Sequence, residues 1–345
     1  MSKLAINKKS IAFLDNNRIY LLFVLVLGVM CLFAPNFASL NNFTTILRSS
    51  CMNALVATGF SVILIAKQLD LSIGSIISLA AVFTIGFRLY FSALPPVLAW
   101  TLGFGVALLA GAVVGLVNGF LVSKVKINSF IVTLGTMITV QGMIYMYTDV
   151  SLSASEAADF ALADFLRNPL VPSLKLITPR ILVAIIGVIL FEIILRQTKL
   201  GRNIYMVGGN PETAWLAGIN TPGYILLVYV LSGLVSALAG SLAAMEMSSA
   251  PVDFGANSLM VVIAAVIIGG TSMAGGKGSA LKSAAAVLML ETLFNGLNRF
   301  KVGTEFKILL NGLILATVIL YEAYALYKHD KTKGQRPELL QAVTR

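Results

Sequence analysis

Residues 94–122, LPPVLAWTLGFGVALLAGAVVGLVNGFLV, contain no charged side chain. Roughly 20 apolar helical residues cross a hydrocarbon core about 30 Å thick, so this run reads as a membrane-spanning helix with length to spare. Outward from it, apolar runs between polar or Gly/Pro breaks continue both ways: 19–34, 45–66 and 71–91 before it, and 129–147, 181–195, 224–245, 259–268, 280–297 and 306–326 after it. That spacing predicts about ten helices. The run at 259–268 is too short to cross unaided and is expected to continue as broken or re-entrant backbone through Gly269–Gly278, a geometry that membranes accept only inside protein. Strand-like alternation is missing, and the expected fold is an all-α polytopic membrane protein.

The composition agrees. Of 345 residues, 58% are hydrophobic and 12% charged, with a mean hydropathy of +0.90, which excludes a soluble enzyme. Cys31 and Cys51 lie in apolar runs and His329 stands alone in the tail, so neither a metal cluster nor a disulfide framework can be assembled. The first apolar run is followed by Ala34-Pro35-Asn36 rather than a small-residue cleavage site and is expected to be retained. A net charge of +10 does not point to nucleic acid, because the basic residues are scattered between the apolar runs. With both termini placed inside, seventeen of the 25 basic residues fall inside, among them Lys67, Lys126, Arg196, Arg202, Lys277 and Lys282, and eight outside. This bias predicts cytoplasmic termini. The expected organisation is a cytoplasmic segment at 1–18, one transmembrane domain at 19–326 with a cytoplasmic loop at 196–221, and a basic tail at 327–345. The largest outside loop, about Thr148–Thr178, suits a surface helix around Ser155–Leu166, either as a docking surface or as a plain connector.

The polar interruption at 201–220, GRNIYMVGGNPETAWLAGIN, encodes a helix with both ends marked. Asn210 can cap it, Pro211 suits its first position, Glu212 favours the positive dipole end, and Gly218 can stop it in a left-handed conformation. A helix of about two turns is marginal alone in water, so Trp215 and Leu216 are expected to pack on a partner or on their own bundle. Asp70 and Ser72 can cap the third span, whose Gly74, Ser75 and Ser78 leave a small-residue face. Thr133, Gly135 and Thr136 combine close packing with hydroxyls that can satisfy backbone or cross-helix acceptors.

Asn53, Gln141, Glu291 and Asn295 lie too deep to be explained by loops. Glu291 and Asn295 share one helical face, and an ionisable group in a span normally faces the bundle or a wet cavity. The competing reading of Glu291, and likewise of Arg48, is a side chain reaching the nearby outer interface. Gly269–Ser279 ends in Gly276-Lys277 but fails as a nucleotide loop: Thr271 stands where the first glycine is required, and Gly278 where Ser or Thr must follow the lysine. This chain is therefore not expected to hydrolyse ATP.

Five segments, in order, resemble ribose-type ABC importer permeases, the membrane subunits for ribose, xylose, arabinose and related small solutes: Asp70–Ser75, Asn118-Gly119, Ile127–Met137, Gly201–Asn220 and Gly269–Ser279. The resemblance runs from about Asn42 to Glu322. It implies a permease that pairs with a second copy or a homologue, with two ATPase subunits that hold ATP and Mg, and with an extracytoplasmic solute-binding protein delivering a small sugar-like solute. It also implies that Arg202, Gly208, Gly209, Asn210, Pro211, Glu212, Trp215 and Gly218 form the coupling segment that meets the ATPase. The chain departs from the family in two places: Leu259 and Val261 stand where its members often carry acidic residues, and Gln141 stands where they tend to have arginine. The competing function classes are an ion-gradient-driven transporter, which would need paired carboxylates or broken helices at the midplane, and an intramembrane enzyme, for which no nucleophile–base set is present.

Overall fold

The computed structural model describes residues 8–148, 150–169 and 178–332. Its helices are α1 (Lys8–Phe33), α2 (Leu40–Ile65), α3 (Ile73–Tyr90), α4 (Pro96–Ser123), α5 (Ser129–Tyr147), α6 (Ala157–Arg167), α7 (Pro179–Gln197), α8 (Lys199–Gly209), α9 (Pro211–Leu216), α10 (Thr221–Met247), α11 (Ser258–Ile268), α12 (Ala280–Arg299) and α13 (Thr304–Thr332). Local chemistry sets many of the boundaries. Side chains of Ser39, Asn128, Thr178, Asn220 and Ser279 each accept a backbone N–H in the first turn of the helix that follows, and Pro96, Pro179 and Pro211 occupy first-turn positions where no helical N–H bond is lost.

Among the described residues, seven helices are long and apolar enough to cross a membrane. To these add α7 with α8, bent by 72° at their junction, and two shorter apolar helices, Asn17–Phe33 and Ser258–Ile268. The bend was not expected. Thr198 serves both sides of it, donating to the Ile194 carbonyl at 2.6 Å and accepting from Gly201 N–H at 3.2 Å. The short run at 259–268 is α11, and it does give way to an irregular Gly269–Gly278 segment. Helix α1 begins at Lys8, inside the stretch expected to precede the first span, and α13 runs past residue 326. The expectation of an all-α chain needs one small amendment: Leu152–Ser153 (β1) pairs antiparallel with Ser249–Ala250 (β2), Leu152 opposite Ala250.

Helices α2 and α3 form the centre and are covered by α4, α10 and α12. Between α4 and α10 the backbones touch: a Cβ on Gly111 would sit 2.6 Å from the Gly233 carbonyl oxygen, so glycine permits the approach. Helix α13 is at the periphery, with none of its most apolar window buried.

Candidate functional site

At one end of the bundle, α9 has the capped form that its sequence encodes. Asn210 Oδ1 accepts from the N–H groups of Glu212 and Thr213, each at 3.0 Å. Gly218 has φ +81°, and Ile219 N–H closes the end onto the Ala214 carbonyl at 3.1 Å. Ala214 is buried, whereas Trp215 and Leu216 are 65% and 73% exposed. Trp215 and Leu216 are therefore left largely uncovered by this chain's own bundle. Trp215 borders a concavity of about 670 Å³ with Lys126, Pro211, Glu212 and Pro222.

Helix α8, which sequence reading left as loop, anchors this segment. Gly208 lies against the Ile65 carbonyl, which also accepts Gly276 N–H at 2.8 Å. A Cβ at Gly208 would overlap that carbonyl, so glycine is required by contact rather than by φ. Tyr205 donates to the Gly278 carbonyl at 2.8 Å, while Gly209 and Arg202 remain exposed. Several amides of the glycine-rich segment bond within the protein: Ser272 N–H to Lys277 O, Gly275 N–H to Ser272 O and Ala274 N–H to Ser272 Oγ.

The motif residues near this end join a chain of hydrogen bonds. Asp70 Oδ1 accepts Ser72 N–H at 2.9 Å and Ser72 O–H at 2.5 Å, Ser72 Oγ accepts from Asn118 Nδ2 at 2.9 Å, and Asn118 Oδ1 accepts from Thr136 Oγ1 at 2.6 Å. The turn before α3 is thus tied to α4 and α5. Burial pushes the Asp70 carboxyl above the ordinary carboxylate range, partly opposed by the bonds from Ser72. Ser72 stands at the N-cap of α3, yet its side chain caps nothing there; its hydroxyl is committed to Asp70, which corrects the expected cap. Ser75 donates to Ser72 O, and Gly74 lies beside Gly255, where an added Cβ would come within 2.8 Å of its carbonyl oxygen. Thr133 bonds back to Ser129 O at 2.8 Å. Gly135 faces open space, so its expected close packing is not found within the chain.

Of the deep polar residues, the structure brings three together and leaves one apart. Asn53 Nδ2 donates to Glu291 Oε1 at 3.1 Å across α2 and α12, and Asn295 follows one turn along α12. Buried oxygens Asn53 Oδ1 and Asn295 Oδ1 have no hydrogen-bond partner. Gln141 instead donates to the Val252 carbonyl at 3.0 Å, holding the connection after β2.

Sequence reading missed several contacts of charged side chains. Arg180 pairs with Glu246, and Arg48 donates to the Arg167 carbonyl. Arg88 pairs with Asp159 at 2.8 Å and Glu156 at 2.6 Å, and Asp159 also accepts Trp100 Nε1–H at 3.0 Å, pinning α6 onto α3 and α4. The α6 range overlaps the expected surface helix, while residues 149 and 170–177 of that loop, like 1–7 and 333–345 of the two terminal segments, lie outside the described residues. Among the described residues no group of three or more His, Cys, Asp and Glu side chains is placed to hold a metal ion.

Residues 42–319 match the family described as branched-chain amino acid transport system / permease component. Over 90% of its length the chain is 32% identical to the ribose import permease protein RbsC of Escherichia coli K12, covering 94% of that relative. It is 33% identical to the Bacillus subtilis ribose import permease RbsC, over 87% of this chain and 90% of the relative. With the galactose/methyl galactoside import permease MglC of Haemophilus influenzae it shares 32% identity, over 96% of this chain and 100% of the relative. No solved structure matches the chain.

Proposed function

The chain belongs to the branched-chain amino acid transport system / permease component family, and on that premise we propose that it is the permease subunit of an ATP-driven ABC importer carrying a small sugar-like solute inward. It is a multi-pass protein of the cytoplasmic membrane. The observation that carries this reading is the match across residues 42–319, and the sugar comes from the names of the ribose and galactose relatives. An ion-gradient mechanism is set aside on the same ground. Two ATPase subunits would hold ATP and Mg, a second permease copy or homologue would complete the membrane unit, and an extracytoplasmic binding protein would deliver solute. Seven long spans, the bent pair and two shorter apolar helices are compatible with ten crossings and cytoplasmic termini.

In this reading α9 is the coupling element. Its cap fixes the first turn and leaves Trp215 and Leu216 bare, the arrangement of an anchor awaiting a groove. Arg202, Gly208 and Gly209 belong to the α8 support that transmits its displacement to the end of α2. Asn53, Glu291 and Asn295 are the proposed pathway groups, because the free amide oxygens of Asn53 and Asn295 suit a solute hydroxyl; Gln141 positions the wall after β2.

The test is reconstitution with the cognate ATPase in proteoliposomes supplied with ribose or galactose. Uptake is expected to require ATP and to survive collapse of ion gradients. Trp215→Ala, or Pro211→Gly with Glu212→Gly, should reduce ATPase association and uptake while expression stays normal, since each helical glycine costs only about 1 kcal/mol. Full association and uptake in both variants would make α9 an ordinary loop element. ATP-independent uptake would remove the importer reading itself.

A further inference from the structure

The concavity beside Trp215 is built from three separate parts of the chain. Glu212 and Trp215 come from α9, Thr221 and Pro222 from the start of α10, and Lys126 from the turn between α4 and α5. That turn closes α4: Lys124 and Val125 N–H both bond to the Phe120 carbonyl, at 2.9 and 3.3 Å, and Ile127 N–H bonds to the Leu121 carbonyl at 3.2 Å. Between them Lys126 takes the left-handed conformation, φ +68°, at a place that helix ends usually give to glycine because a Cβ is crowded there. Lysines are also left-handed at 67 and 301, so backbone strain alone assigns nothing. Lys126 is set apart by its surroundings, a hollow of about 670 Å³ that it shares with a carboxylate and an indole 65% exposed. Lys126 and Glu212 are both exposed, and among the described residues neither joins a salt bridge, with the other or elsewhere. Opposite charges that border one hollow without pairing leave both signs open to a partner.

We propose that the α4–α5 turn belongs to the ATPase-docking surface, with Lys126 as its charge-selecting residue: a convex segment of the ATPase subunit fills the hollow against Trp215 and sets a carboxylate beside Lys126. This rests on the reading of α9 as the coupling element and adds a second piece of chain across the hollow from it. An anionic membrane surface is the other candidate for an exposed tryptophan and lysine. It fits less well, because Glu212 on the same rim would repel it and because a hollow receives a protruding side chain rather than a flat layer of headgroups. Since the turn joins α4 to α5, displacement of the ATPase reaches α5 without passing through α8.

The test measures association of the full-length permease in nanodiscs with its purified cognate ATPase subunit at low and high salt. Lys126→Glu is expected to weaken association about tenfold at low salt, an effect that shrinks as added salt brings the screening length below about 10 Å. Lys126→Arg should keep the wild-type affinity. Lys126→Gly separates docking from folding: it relieves the left-handed backbone, so its melting temperature should equal or exceed that of wild type while association still falls. Unchanged association in both Lys126→Glu and Lys126→Gly overturns the proposal. So does a Lys126→Gly variant that melts below wild type, because the lysine would then be serving the fold. A defect present in nanodiscs containing phosphatidylglycerol and absent from those of phosphatidylcholine alone would assign Lys126 to the bilayer, and overturns it as well. Trp215→Ala, measured alongside, keeps the two readings apart. Association lost there but intact in the Lys126 variants removes Lys126 and leaves α9 as the coupling element, whereas full association in Trp215→Ala removes the coupling reading itself.

Discussion

Asp70 shows how one side chain can set the character of an end of the bundle. Its carboxyl is fully buried and holds Ser72, which holds Asn118, which holds Thr136. Because burial raises its pKa in the folded state, the neutral form is favoured: its stabilising contribution is complete below the ordinary carboxylate pKa and is lost as pH rises from there through the raised value. Asp70→Asn keeps the Oδ1 acceptor and has no proton to lose. Its melting temperature should therefore stay level across that window while that of the wild type declines, and thermal melts of both at several pH values will decide. Gly208 makes a different demand. With its α-carbon against the Ile65 carbonyl, Gly208→Ala must push α8 away from α2, at a cost of about 1–3 kcal/mol. Gly135→Ala, into open space, should cost far less; equal melting temperatures for the two alanine variants would show that the α8 contact is not tight. The sequence marks Gly208 only as a glycine in a loop, because the carbonyl it meets lies far away along the chain.

At the scale of elements, what was legible is what neighbouring residues determine. Asn210, Pro211, Glu212 and Gly218 announce α9 because capping acts within one turn, and the structure places each in its expected position. Helix α8 escaped notice because its apolar residues share a run with polar and glycine positions, and its support comes from Ile65 and Gly276 rather than from periodicity. The clamp on α6 was equally invisible: Arg88 and Asp159 are separated by 71 positions, and each alone reads as a loop or interface charge. Buried Arg88 and Asp159 are a pair whose separation leaves a charge stranded, at about 3–5 kcal/mol, while the exposed Glu156 arm adds little. Arg88→Ala should release α6 without unfolding the bundle, which hydrogen exchange would report as loss of protection confined to residues 157–167. Unchanged protection there would mean that packing of Ala163 and Leu166, both buried, holds α6 unaided.

For the whole molecule, apolar runs were enough to foresee a helical membrane bundle, because a span must satisfy its own backbone whatever surrounds it. They could not foresee which helices are central, since α2 and the peripheral α13 are both apolar and differ only in what covers them. Orientation rests on the seventeen-to-eight count of Lys and Arg. At the end proposed to face outward, Arg48, Arg88, Arg180, Arg299 and Lys307 each engage a protein acceptor or carboxylate. Ser92 and Lys126 flank α4, are both exposed, and must lie on opposite sides if α4 crosses. In a variant lacking Cys31 and Cys51, an impermeant maleimide added to intact cells should label Ser92→Cys and spare both Lys126→Cys and Lys331→Cys. The inverse pattern would turn the protein over, placing α9 and its bare Trp215 where no ATPase could reach them. Labelling of Ser92→Cys and Lys126→Cys alike would deny that α4 crosses, despite its uninterrupted apolar run.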